Sequence, residues 1–150
     1  MTKGIYALII KIKEQIALTI GKNRRYNFFP GYCVYIGSAL GKYSTNIENR
    51  LKRHFSPNKK IFWHIDYLLN SPKVEAIKAF YAKTDKTKEC ELALRMNNYG
   101  NSDLSRAFGN SDCKAGCKTH LFFINNDENL EKIVESAFND IFLKPLLFTK

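Results

Sequence analysis

Arg50 and His54 stand four residues apart in the run from Gly37 to Phe55, GSALGKYSTNIENRLKRHF. On a helix that spacing stacks a guanidinium and an imidazole on one face, one turn apart. Two cationic donors placed so are a device for holding a phosphate. Ile47, Leu51 and Phe55 recur at helical spacing on another face, and Thr45 followed three residues later by Glu48 reads as a capping box that starts the helix. The same residues also fit a basic, solvated helix face with no ligand. A second group, Cys113-x3-Cys117-x2-His120 with Cys90 from a separate helix, can supply four zinc ligands. Reduced thiols in or near the core are the competing reading.

Charge narrows the partner. The 150 residues carry 24 Lys and Arg against 14 Asp and Glu, a formal net charge of +10. Such an imbalance calls for a polyanion, with nucleic acid ahead of an anionic membrane surface. Hydrophobic residues make up 45% of the chain, enough for the core of one domain. No segment approaches the ~20 apolar residues of a membrane span. The apolar run 7–10 is broken by Lys11 and Lys13, which argues against a signal peptide. The expectation is a cytoplasmic protein whose four cysteines stay reduced.

These side chains need elements to position them. Gly4–Ile12 alternates as a strand, with Tyr6, Leu8, Ile10 and Ile12 on one face and Ile5, Ala7 and Ile9 on the other. Ile16, Leu18 and Ile20 alternate again after the polar Lys13-Glu14, so the two stretches read as a β-hairpin. Residues 21–27 read as a basic loop with Arg24 and Arg25, and residues 32–36 as a third strand with Cys33 and Tyr35 on one face. Apolar residues on both faces of such a sheet require helical cover. Residues 61–69 are expected to be helical, 74–82 a strand, 88–96 a helix capped by Thr87, and 120–124 a short strand. Leu130, Ile133, Val134, Ala137, Phe138 and Ile141 mark the clearest amphipathic helix. The fold class is therefore α/β in the α+β sense: a small, mainly antiparallel sheet flanked by helices, in a single domain.

Gly4-Ile5-Tyr6 on the first strand, Tyr35-Ile36-Gly37-Ser38-Ala39 on a later one, and Arg50-Leu51-Lys52-Arg53-His54-Phe55 on the next helix form an ordered set. Together they resemble the GIY-YIG nuclease superfamily. Trp63-His64-Ile65-Asp66-Tyr67-Leu68, Glu89-Cys90-Glu91-Leu92-Ala93, and Phe108-Gly109-Asn110-Ser111-Asp112-Cys113 with His120-Leu121-Phe122 are similar to its Uri-type archaeal branch. Residues 7–34 separate the two tripeptides, a longer spacing that this branch shares through an extended hairpin.

The resemblance implies hydrolysis of DNA phosphodiester bonds with one divalent metal, Mg²⁺ or Mn²⁺, and by family likeness a part in DNA repair or the processing of branched DNA. Tyr6 takes the place of the general base, although a phenol of pKa ~10 needs activation near neutrality. Arg50 would meet the charge that builds on the phosphate. His54 would assist the leaving oxygen or the phosphate, or else is a core-edge histidine. Tyr35 would position water or phosphate, and Gly37 lets backbone approach the site. The metal carboxylate is Glu89 or Glu91; Glu89 is preferred because Leu92 and Ala93 follow it at three and four places. His64 and Asp66 support the site or form a buried hydrogen-bonded pair. Arg24, Arg25, Lys42, Arg53, Lys59 and Lys60 are the candidates for DNA-backbone contact. The rivals are a non-catalytic nucleic-acid-binding module and a zinc-stabilised interaction domain.

Overall fold

The computed structural model describes residues 3–20, 24–39, 46–57, 60–61, 63–84, 88–102, 105, 108, 119–124 and 129–149. In chain order they form β1 (Gly4–Ile12), β2 (Ile16–Ile20), β3 (Arg24–Phe28), β4 (Gly31–Ala39), α1 (Ile47–Phe55), α2 (His64–Leu69), β5 (Val74–Lys83), α3 (Glu89–Met96), β6 (Leu121–Ile124), α4 (Leu130–Asp140) and β7 (Leu146–Phe148). β1 is apolar on both faces and buried at every position except Lys11, so it can only be a central strand. It pairs antiparallel with β4 on one side and β5 on the other, in a five-stranded sheet of order β6-β4-β1-β5-β7. The protein is a mixed α+β fold, as the alternation of apolar patterns predicts.

The two faces of β1 organise two cores. Tyr6, Leu8, Ile10 and Ile12, with Cys33 and Tyr35 of β4, pack under Ile47, Leu51 and Phe55 of α1, Ile65 and Leu68 of α2, and the hairpin residues Ile16, Ile20, Tyr26 and Phe28. Ile5, Ala7 and Ile9, with Val34 and Ile36, pack under Leu92, Ala93 and Met96 of α3 and Val134, Ala137 and Phe138 of α4. Among the described residues, no helix is long and apolar enough to cross a membrane.

Three expectations are corrected. β1 does not form a hairpin with β2: β2 pairs with β3 in a separate two-stranded sheet. Lys13 N–H instead bonds the carbonyl of Lys73, 2.7 Å away, and β2 leaves the sheet to lie over one face with only Ile16 and Ile20 buried. The supposed basic loop is therefore largely β3, where Tyr26 and Phe28 point inward while Arg24, Arg25 and Asn27 face solvent. The cap of α1 is Asn46, whose side chain accepts from the Asn49 N–H at 2.9 Å. Thr45 and Thr87 lie outside the described residues, and α3 begins at Lys88 with no side-chain cap bond. β7, an edge strand paired with β5, has no counterpart in the expected elements.

Candidate active site at one end of the sheet

Tyr6 faces Gly37 across the β1–β4 ladder. A Cβ on Gly37 would sit 2.4 Å from both Cζ and the hydroxyl oxygen of Tyr6. The missing side chain of Gly37 is thus the space that the phenol occupies. Tyr35, two residues earlier on the same face of β4, places its ring centroid 6.4 Å from that of Tyr6. The Tyr6 hydroxyl lies 2.6 Å from Nε2 of His54, in a buried contact between β1 and α1. The His54 tautomer sets the direction of this bond: with the ring proton on Nδ1, the hydroxyl donates to Nε2.

α1 also brings in Arg50. Its Nη1 donates to the Ser38 carbonyl at 2.6 Å, and its guanidinium carbon lies 4.3 Å from the ring centre of Trp63. Its Nε is buried with no hydrogen-bond partner among the described residues. Arg53 lies against the same Trp63 ring at 4.9 Å, but its Nη2 is taken by Asp66 at 2.6 Å and by the Lys60 carbonyl at 2.7 Å. Asp66 is wholly buried and accepts a second bond from the Trp63 N–H at 3.0 Å. Asp66 is therefore bonded to Arg53 and to the Trp63 backbone, a pairing its spacing from His64 gave no hint of. Trp63 as a shared platform for two guanidiniums has no sequence signal beyond its presence between basic segments.

Glu89 stands in the first turn of α3, which starts at the end of the sheet where β1 begins. Burial chiefly, with Tyr35 and Glu89 adding to it, pushes the Tyr6 phenol well above its ordinary pKa, while Arg50 pulls it down by charge and by a hydrogen bond. Tyr35 is likewise raised, first by burial and next by Glu89, with Arg50 opposing. Tyr6, Tyr35, Arg50 and Glu89 are thus one electrostatic group, to which His54 is joined by its bond to Tyr6. Glu91, two residues on, lies on the exposed side of α3.

Behind Glu89 lies His120, almost fully buried and held where its carbonyl accepts from Ile36 N–H at 2.8 Å. Oε2 of Glu89 is 3.4 Å from its Nδ1, and Sγ of Cys90 is 4.0 Å from its Nε2. Burial lowers the His120 pKa to about 4, opposed by a hydrogen bond from the ring to the Ile36 backbone that favours the charged form. The imidazole is neutral at pH 7, so its contact with Glu89 is not an ion pair between full charges.

Arg24 and Arg25 are exposed on β3, and Lys60 is exposed beside α2. Arg24 is close enough to His64 to help burial lower that imidazole's pKa, which puts it on the same side of the sheet as Tyr6. Lys42, Lys59, Cys113 and Cys117 fall outside the described residues. The family model described as "Domain of unknown function DUF123" matches residues 5–143. No curated protein and no solved structure matches the chain.

Proposed function

The chain belongs to the DUF123 family, and we propose that it is a metal-dependent endonuclease of the GIY-YIG type, close to the Uri branch, that hydrolyses phosphodiester bonds in DNA. The observation that carries the reading is the convergence of Tyr6, Tyr35, Arg50, His54 and Glu89 on one end of the sheet. Each of these five residues has work to do in phosphoryl transfer to water.

Arg50 is held by Ser38 and Trp63, and its guanidinium would donate to a non-bridging phosphate oxygen. A guanidinium already oriented stabilises charge as it develops, without reorganising at that moment. Tyr6 is a neutral phenol in the resting protein and cannot act as a base until it loses its proton. His54 Nε2 is placed to take that proton as Tyr6 receives one from water, a two-step relay within one hydrogen bond of each partner. Tyr35, its ring centroid 6.4 Å from that of Tyr6, would orient the water or phosphate.

Glu89 suits a divalent cation because its negative charge already reaches both phenols and holds their pKa values up. Glu89 would hold the ion, Mg²⁺ or Mn²⁺ for an oxygen donor. Such an ion supplies Lewis acidity toward the phosphate. Neutralising Glu89 also removes its upward push on Tyr6, which couples the carboxylate to the base. Arg24, Arg25 and Lys60 would follow the DNA backbone and supply affinity without sequence preference, and repair or processing of branched DNA is the proposed setting.

The test is incubation with plain, nicked and branched DNAs plus Mn²⁺. Wild type is expected to cut, Tyr6→Phe, Arg50→Ala and Glu89→Gln to lose about 10²-fold or more in rate, and Glu91→Ala to stay near wild type. DNA binding without cleavage on any substrate would instead make this a non-catalytic nucleic-acid-binding module, the reading the +10 charge alone supports.

A further inference from the structure

Glu89, Cys90 and His120 place a carboxylate oxygen, a thiol sulfur and an imidazole nitrogen all within 4.8 Å of one another. We propose that these three residues form a binding site for a Zn²⁺-class divalent ion. The inference stands whether or not the chain cuts DNA, since it concerns what the donor set holds.

Donor chemistry selects the ion. Sulfur and imidazole nitrogen are poor ligands for Mg²⁺, which takes oxygen in a strict octahedron, whereas a mixed sulfur, nitrogen and oxygen set is what Zn²⁺ and its analogue Co²⁺ prefer. Tetrahedral bond lengths put a ligand oxygen and nitrogen about 3.3 Å apart, and a sulfur and nitrogen about 3.6 Å apart. With one ligand atom taken from each residue the three lie within 4.8 Å of one another, wider than these values, so the side chains must draw in around the ion. The shortest approaches, 3.4 Å from Glu89 Oε2 to His120 Nδ1 and 4.0 Å from Cys90 Sγ to His120 Nε2, show each partner in reach of the ring. Those two contacts meet opposite nitrogens, so binding requires the ring to turn one nitrogen toward both partners.

The supporting structure is firm on the histidine side. His120 donates its N–H to the Phe108 carbonyl at 2.9 Å and accepts from Ile36 N–H at 2.8 Å, and its side chain is 1% exposed. Glu89 and Cys90 sit in the first helical turn, half-buried, with side chains able to reach past the start of α3. Among the described residues the group offers three ligands; three protein ligands with an open position make the catalytic form of zinc coordination, and a fourth would make the closed structural form. Because Glu89 also belongs to the group around Tyr6, a Zn²⁺-class ion here would take the same carboxylate that the proposed function gives to Mg²⁺ or Mn²⁺, and would stand in place of that ion at the edge of the candidate active site.

The experiment uses the full chain, stripped with chelator and titrated with Co²⁺. Expected is one Co²⁺ per chain, with the absorption of sulfur-to-cobalt charge transfer and the strong visible bands of tetrahedral Co²⁺, and displacement by Zn²⁺. Cys90→Ser should abolish the charge-transfer absorption and weaken binding at least tenfold, and Glu89→Gln should weaken it at least fivefold. Both changes keep side-chain size, so folding is preserved, and circular dichroism confirms it. Cys33→Ala, a thiol buried on the other face of the sheet, should leave binding unchanged. The assignment is overturned if wild type binds no stoichiometric ion, or if Cys90→Ser keeps wild-type affinity, which would move the sulfur ligand to Cys113 or Cys117. Fast metal-independent alkylation of Cys90 in a chain that binds no ion would also overturn it, in favour of a thiol–imidazole pair.

Discussion

Gly37 is the residue on which the geometry of Tyr6 turns. Its role is spatial, since an added methyl group would overlap the phenol ring at 2.4 Å, and that ring is buried, at 1% exposure. Gly37→Ala is therefore expected to destabilise the protein by about 1–3 kcal/mol, the usual cost of overpacking, and to displace Tyr6 from His54. The two residues should be coupled. In a Tyr6→Ala background, which empties the space, the same Gly37→Ala change should cost less by about 1 kcal/mol or more. Urea unfolding of the four proteins gives the cycle, and additive costs would show that Tyr6 and Gly37 do not share that space. This also revises the sequence-level meaning of the two tripeptides. Spacing shows that a tyrosine and a glycine recur; only the β1–β4 register shows that each requires the other.

At the scale of elements, α1 is tied to its surroundings by polar bonds from both ends. Asn46 caps its start, and Arg53 ties its last turn to Asp66 of α2 and to the Lys60 carbonyl. Arg53 is 27% exposed while Asp66 is 0% exposed, so removing the arginine takes a charge-assisted hydrogen bond from a buried carboxylate. Arg53→Ala is expected to cost about 2–4 kcal/mol, against about 1 kcal/mol for Asn46→Ala. An unchanged melting temperature for Arg53→Ala would free Arg53 for the DNA-contact role that its position on a basic helix suggests. What was legible in the sequence divides along the same line. The periodic elements β1, β4, β5, α3 and α4 follow from local apolar spacing, and so does the sharing of one face by Arg50 and His54. The partners of β1 do not, because Ile16–Ile20 is as good a strand as any and nothing in its residues says which edge it meets. Asp66 beside Arg53, and His120 beside Glu89, are likewise products of chain crossings between distant segments, whereas the grouping of Cys90 with His120 was already legible as a set of metal-ligand types. The Ile36–His120 backbone bond that sets the second contact has no signature in spacing.

For the whole molecule, excess positive charge predicts DNA affinity that falls steeply with salt, by about 0.9 log units per tenfold salt for each phosphate neutralised. Arg25→Ala, on the exposed face of β3, should flatten that slope by close to one such unit, and Arg53→Ala by much less because its guanidinium is engaged with Asp66. Stability should carry a charge signature of its own. His120 ionises at about 4 in the folded protein, against ~6.5 for an exposed histidine. Between those values the unfolded chain holds a proton that the folded one refuses, so acidification favours unfolding. The contribution is full above pH ~6.5 and is lost as pH falls toward 4, at no more than about 1.4 kcal/mol per pH unit. His64, lowered by burial and then by Arg24, pushes in the same direction, so the acid slope of wild type belongs to both rings. Comparison with His120→Gln, in chelator to keep the Glu89–Cys90–His120 cluster free of metal, isolates one of them. The variant is expected to be less stable at pH 7 but to lose less on going from pH 6.5 to 4.5. Parallel stability curves over that interval would mean that His120 takes up its proton equally readily in both states, and that the chain crossing at Ile36 does not seal it from water.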